Sequence, residues 1–465
     1  MGQQSICVHG HFYQPLRVNP FTGKVPVEPG AEPYHDFNEK ITAECYRPNA
    51  LVGNFDNISF NLGPTLAAWL EKNDPTTYEM ILAADRRNVE RFGVGNAIAQ
   101  AYNHTILPLA TDEDRHTQVA WGLADFRHRF GRDAEGMWLG ETAADWRTLE
   151  VLVDHGVQFV VLAPWQAHPL LLDTSEPYLI HLPSGRSLAA FFFDAELSKQ
   201  LTFNPRMTRR ASDFAELCLP TRVVWYKQRR SEPQLVFIAV DGEVFGHHQK
   251  RGVGFLSQLL RREAPRRGFT PTTLARYWRE HPPKKSVMFR EDAAWSCYHG
   301  LNRWSAGCAC TVGDSAWKPV LRRALDKLAM DIDRVCAAEL SAMGIELAMA
   351  RREFVQVILG KTSAQTFALD VAGRPLAAHE TARAAELLEA QYWRQLMFTS
   401  CGFFFEDIDR IEPANNLAFA AKALDLLGPA QAGLEDRFRR ELSQARSWRT
   451  GRSGKDIYDA VRTRL

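Results

Sequence analysis

Short apolar runs spread over roughly the first 290 residues, separated by helical patterns, constrain this chain more than any other feature. SICVHG, ISFNL and GMWLG are strand-like, and VQFVVL, SLAAFFF and LVFIAV are each too short for a helix and rich in Val or Phe, so all six are predicted to be buried strands. Between them lie amphipathic stretches. TLAAWLEK follows Gly63-Pro64, a helix capped by Thr111 runs towards HRFG with Asp112, Glu113 and Asp114 in its first turn, and TAADWRTLEVLVDHG closes at Gly156. Strands alternating with helices imply a parallel sheet with crossover connections.

Several of these runs end in a side chain able to do chemistry: His9 and His11, Glu141, Asp194 and Asp241. That recurrence favours a barrel whose mouth is the active site. Glu141 in GMWLGETAAD and Asp241 in LVFIAVDGEVFGHH are the most informative pair, because two carboxylates at strand ends are the minimum equipment for cleaving a glycosidic bond. Structural roles compete with this reading. Glu141 could serve the start of the following helix, although Thr142 is the better predicted N-cap; Asp241-Gly242 is a common turn pair, and Asp194 could be a strand-end cap.

From about Cys310 the pattern changes to long Ala- and Leu-rich helical periods such as KPVLRRALDKLAMDIDRVCAAELSAM, with FVQVILG and TFALDVAG ambiguous. The expected architecture is therefore α/β, an incomplete (β/α) TIM-like barrel over residues 1–310 followed by a mostly α-helical domain over 311–465. A net charge of +1 argues against a dedicated nucleic-acid binder, and the basic run DRFRRELSQARSWRTGR is expected to be a solvated helix face. No apolar stretch approaches the roughly 20 residues that span a membrane, and SICVHG begins without a signal-peptide pattern, so a cytoplasmic protein is expected.

The chain has 8 cysteines, which a cytoplasmic setting would keep reduced. In WSCYHGLNRWSAGCAC, Cys297, His299, Cys308 and Cys310 crowd together, but neither Cys-x-His nor Cys-x-Cys has the usual gap of a zinc knuckle. A packed loop with thiols is expected there, with no metal and no cofactor. The loop also offers Trp295, His299, Arg303 and Trp304, which could reach the barrel mouth.

HGHFYQP, YNHTILPL, WLGET and VDGEVFGHH occur in the order of the motifs of glycoside hydrolase family 57, and residues 5 to 310 resemble that family. The region from WSCYHGLNRW to LMFTSCGFFFED resembles a helical domain of unknown function that accompanies one branch of it. The resemblance implies an incomplete barrel acting on α-glucans with retention, with Glu141 as nucleophile and Asp241 as general acid/base. It implies that His9, His11, Gln14 and His104 line the sugar subsite; Trp138 or Trp295 could stack on a ring face, and Asp194, after FFF, and His247, behind the acidic motif, are read as further contacts. An oligo- or polysaccharide partner follows, with no nucleic acid or membrane and the oligomeric state left open. Tyr13 stands where the family motif carries His, and HHQK follows the acidic motif in place of a Trp-rich run, which bears on starch specificity. A metal-dependent carbohydrate esterase or mannosidase and a catalytically silent glucan-binding protein are the alternatives.

Overall fold

β1 (Gln4–Phe12) organises the first half of the protein because it meets neighbours on both edges. The computed structural model describes residues 2–168 and 171–463. Beside β1 run β2 (Ser59–Leu62), β3 (Ala97–Gln100), β4 (Gly136–Trp138) and β5 (Phe159–Leu162), each parallel to the last. β6 (Tyr178–His181) and β7 (Ser187–Phe192) form a hairpin whose second strand pairs parallel to β5. On the far edge β8 (Gln234–Asp241) lies parallel to β1 along nearly its whole length, and β9 (Phe269–Pro271) pairs with the start of β1. Among the described residues no pairing joins β6 to β8, so the curled sheet is an incomplete barrel.

Alternation along the strands fills the sheet interior. Phe159 and Val161, Ala189 and Phe191, and Leu235, Phe237 and Ala239 pack with Cys7, Ile98, Trp138 and Tyr277 in one buried cluster. Their partners on the opposite face are also buried, including Val160, Leu188 and Val236, as in a parallel sheet covered on both faces. The β6–β7 hairpin is the departure from pure parallel alternation, and its tight turn at Ser184-Gly185 carries a positive φ that glycine accommodates.

Two expected helix starts turned out differently. Thr111 does cap the helix Asp112–Phe130, its Oγ1 accepting from the Asp114 N–H at 3.2 Å. Thr142 does not cap the next helix, which spans Trp146–Asp154 and is capped by Asp145 through the Thr148 N–H at 2.7 Å. A carboxylate three residues before Thr148 is a stronger acceptor than a hydroxyl, and Ala143 remains extended.

The chain divides into two units, one of Met1–Leu16, Val27–Tyr102 and Phe126–Tyr298, the other of Arg17–Pro26, Asn103–Asp125 and His299–Leu465. The second unit is built on the helices Trp317–Ala342, Ala378–Leu396, Ile411–Asp425, Gln431–Leu442 and Gly454–Thr463. The two ambiguous runs are helical, at Val355–Ile358 and Ala364–Val371. Leu321, Leu325, Leu328, Ile332 and Cys336 form the buried stripe of the longest helix. Beside that apolar core Asp114 is buried against Arg394 at 2.6 Å, Arg351 at 3.0 Å and Gln395 at 2.5 Å, and the two guanidiniums hold its pKa down to about 2 despite burial.

Candidate active site

The C-terminal ends of β1, β4 and β8 bring the site together within the first unit. Glu141 sits in a one-turn helix directly after β4, and both it (φ 58°) and Thr142 (φ 52°) adopt left-handed backbone that non-glycine residues rarely take. Hydrogen bonds surround it. The Trp295 N–H donates to the Glu141 carbonyl at 3.0 Å, and Trp295 Nε1 and Ser296 Oγ donate to its Oε2 at 3.1 and 2.5 Å. Buried Gln166 secures the turn: its Oε1 accepts from Thr142 Oγ1 and the Ala163 N–H, and its Nε2 donates to the carbonyls of Thr142 and Ala293.

Asp241 ends β8 directly opposite His11 of β1. Part of its surface remains open while protein surrounds it closely. This burial, followed by the charges of Glu243 and then Glu141, raises its pKa well above the ordinary carboxylate range. Glu243 is 6% exposed, accepts a hydrogen bond from Tyr46 Oη and another from Gln14, and is pushed up to about 7 chiefly by burial. Gly242 between the two acids cannot be larger, because a Cβ there would lie 2.3 Å from the Phe12 ring.

The histidines occupy two levels. His9 is wholly buried, with Ser59 Oγ at 3.2 Å from Nδ1 and Asn61 Oδ1 at 3.0 Å from Nε2, and burial drops its pKa to about 4. His11 meets the Asn61 amide at 2.9 Å and packs edge-on to Trp295. Both rings stack on Trp138, whose indole is fully buried beneath them, while Trp138 and Trp295 meet edge-to-face at 4.9 Å.

Other expected contacts lie in different surroundings. Asp194 caps the helix Ala195–Phe203 through the Leu197 N–H at 2.8 Å and pairs with Arg222 at 2.7 Å. His247 bonds Glu44 through Nδ1 at 2.6 Å, and Lys250 reaches the same carboxylate at 3.0 Å. In the second unit, His104 is buried with φ 55°, bonds Ser400 Oγ at 2.6 Å and has its pKa lowered to about 3 by desolvation. Also in the second unit, His299 contacts Cys308, Arg303 lies 3.7 Å over the Phe404 ring, and Trp304 is buried beside Phe404. Sequence reasoning passed over Ser59, Asn61, Tyr46, Gln166 and Ser296. Only Asn61, closing the apolar run ISFNL, and Ser296, next to Trp295, carried a signal that could have flagged them.

The profile of glycosyl hydrolase family 57 matches residues 34–289, more than half of the chain. The chain belongs to this family. Residues 314–464 match a domain of unknown function (DUF3536). Among relatives of this family 57 member, the 4-alpha-glucanotransferase of Thermococcus litoralis is 26% identical over 36% of this chain and 25% of its own length. Alpha-amylase 1 of Dictyoglomus thermophilum is 25% identical over 31% of this chain and 21% of its own length. The chain thus spans a quarter or less of the length of these curated relatives. An exo-type maltose-forming amylase from Pyrococcus sp. ST04 has a similar structure, with a TM-score of 0.77 at 15% identity over 98% of this chain and 88% of that one. A branching enzyme from Pyrococcus horikoshii gives 0.61 at 16% identity over 99% and 94%. These likenesses show the TIM-like fold. Among the described residues no helix is long and apolar enough to cross a membrane.

Proposed function

We propose that this family 57 protein cleaves or transfers α-glycosidic linkages of an α-glucan or α-glucoside with retention of configuration, using Glu141 as nucleophile and Asp241 as general acid/base. The observation that carries this reading is the opposed environment of two carboxylates at strand ends of one half-barrel. Glu141 Oε2 receives two donors, which favours an ionised, oriented carboxylate, whereas Asp241 holds its proton through burial and the nearby charges of Glu243 and Glu141.

In the first step a Glu141 oxygen attacks the anomeric carbon, and Asp241 gives its proton to the departing glycosidic oxygen. The resulting glycosyl ester is opened by water or a sugar hydroxyl, whose proton returns to Asp241. Hydrolysis and transfer share this ester and differ only in the acceptor. His11, across the strand pairing from Asp241, and Trp295, bonded to Glu141, are placed to meet the sugar at the reacting bond. Trp138 and His9 support them from below. The names of the glucanotransferase and amylase relatives favour an α-glucan as substrate.

The test is proton NMR of the first products from maltooligosaccharides and glycogen, with Glu141→Gln and Asp241→Asn alongside the native chain. Products released first as the α-anomer, and lost in both variants, support the assignment. β-Anomeric products, or activity surviving both substitutions, refute it.

A further inference from the structure

Within the second unit the donor atoms of His299, Cys308 and Cys310 all lie within 4.8 Å of one another. We propose that His299, Cys308 and Cys310 bind one zinc ion, apart from the carboxylates assigned to catalysis.

Geometry and donor chemistry agree on the ion. Tetrahedral zinc with Zn–S near ~2.3 Å and Zn–N near ~2.0 Å sets neighbouring S and N donors about 3.5 Å apart. His299 Nδ1 and Cys308 Sγ are separated by 3.5 Å. Two soft thiolates and one imidazole suit Zn(II), whereas hard cations such as Mg(II) or Ca(II) take oxygen ligands. In sequence, Cys-x-His followed by Cys-x-Cys lacks the spacing of a knuckle; in the structure the 3-10 turn Asn302–Trp304 lies between His299 and Cys308, whose donor atoms meet.

A cation stands beside the group: Arg303 Nη1 lies 4.0 Å from Cys310 Sγ, and Lys318 donates to the Arg303 carbonyl at 2.8 Å. Bound there, the ion would hold a loop with little regular structure.

The test uses the full chain without a polyhistidine tag, purified under reducing conditions without chelator. Elemental analysis by plasma mass spectrometry is expected to give about one zinc per chain. Replacement by Co(II) is expected to give thiolate-to-cobalt charge-transfer bands and tetrahedral d–d absorption. Cys308→Ser with Cys310→Ser should abolish both signals, whereas His299→Cys should keep the metal on an all-thiolate set and shows that loss is not misfolding. Cys218→Ser, outside the group, and Glu141→Gln should retain full zinc, the latter separating this proposal from the catalytic assignment. A reduced chain with neither zinc nor cobalt–thiolate bands, a stoichiometry indifferent to the double substitution, or intact-mass data showing a disulfide within the group would overturn it.

Discussion

His11 and Asp241 face each other across the parallel pairing of the first strand with the eighth, although 230 positions separate them on the chain. That register places the N-terminal histidine motif and the acidic motif at one strand end. It also makes Asp241 responsive to Glu243, two residues on. Above pH ~7 Glu243 is charged and helps hold the proton of Asp241. Glu243→Gln is therefore expected to move the basic limb of kcat/KM to lower pH. An unmoved limb would assign that limb to another group.

The same residue affects folding. The folded pKa of Glu243 is raised to about 7, above its unfolded value, so its contribution to stability is full below the unfolded pKa of about 4.3 and is lost as pH rises through about 7. Denaturant titrations at low and high pH across that window should show a smaller fall in stability for Glu243→Gln than for the native chain. An equal fall would contradict the burial that the structure gives this side chain.

Gln166 makes four hydrogen bonds that tie the left-handed turn at Glu141 to the segment at Ala293. Gln166→Leu fills similar volume but leaves those buried partners unmet, and a loss of roughly 1–3 kcal/mol in stability is expected. Since the turn aims Glu141, kcat should fall more than KM rises, on the order of tenfold or more. Steady-state kinetics beside thermal melts would check this, and a stability loss with unchanged kcat would remove Gln166 from the positioning of Glu141.

Six strands and the ends bearing Glu141 and Asp241 could be read because buried parallel strands are near-continuous apolar runs, whereas the short strands Ala97–Gln100, Tyr178–His181 and Phe269–Pro271 were not read. The helical second half could be read because its period persists over whole helices such as Trp317–Ala342. The helix start after Glu141 was misplaced because Thr142, Asp145 and Thr148 all compete locally, and the winner depends on the strained turn that Gln166 holds. Gln166 and Tyr46 carry no pattern of their own; their value comes from partners such as Ala293 and Glu243, over 100 residues away. The Cys297–Cys310 group could be seen as composition but not as geometry, since no spacing rule describes a loop folded back on itself.

Asp194 separates structural from functional strand ends. Its carboxylate caps a helix and pairs with half-exposed Arg222. Asp194→Ala should cost about 1 kcal/mol of stability, a typical N-cap loss, with little change in kcat. A large rise in KM with unchanged melting would instead make it a substrate contact.

In the second unit, Asp114→Asn leaves Arg351 and Arg394 without their buried carboxylate, and a loss of about 3–5 kcal/mol is expected by denaturant melts. The folded pKa of Asp114 is lowered to about 2, so its contribution is present above the unfolded value of about 3.9 and is lost as pH falls towards 2. The variant should accordingly lose less stability over that acid range than the native chain. A melt within about 0.5 kcal/mol of the native chain would show that this network is dispensable.

The most direct measurement of the central claim is mass spectrometry of Asp241→Asn after reaction with an α-maltosyl fluoride. Fluoride leaves without a proton from Asp241, so the first step proceeds, while loss of the base slows breakdown of the ester. The account predicts a maltosyl adduct on the peptide carrying Glu141, absent when Glu141→Gln is combined with it. An adduct on another carboxylate, or turnover of the fluoride with inverted product and no adduct, would contradict it.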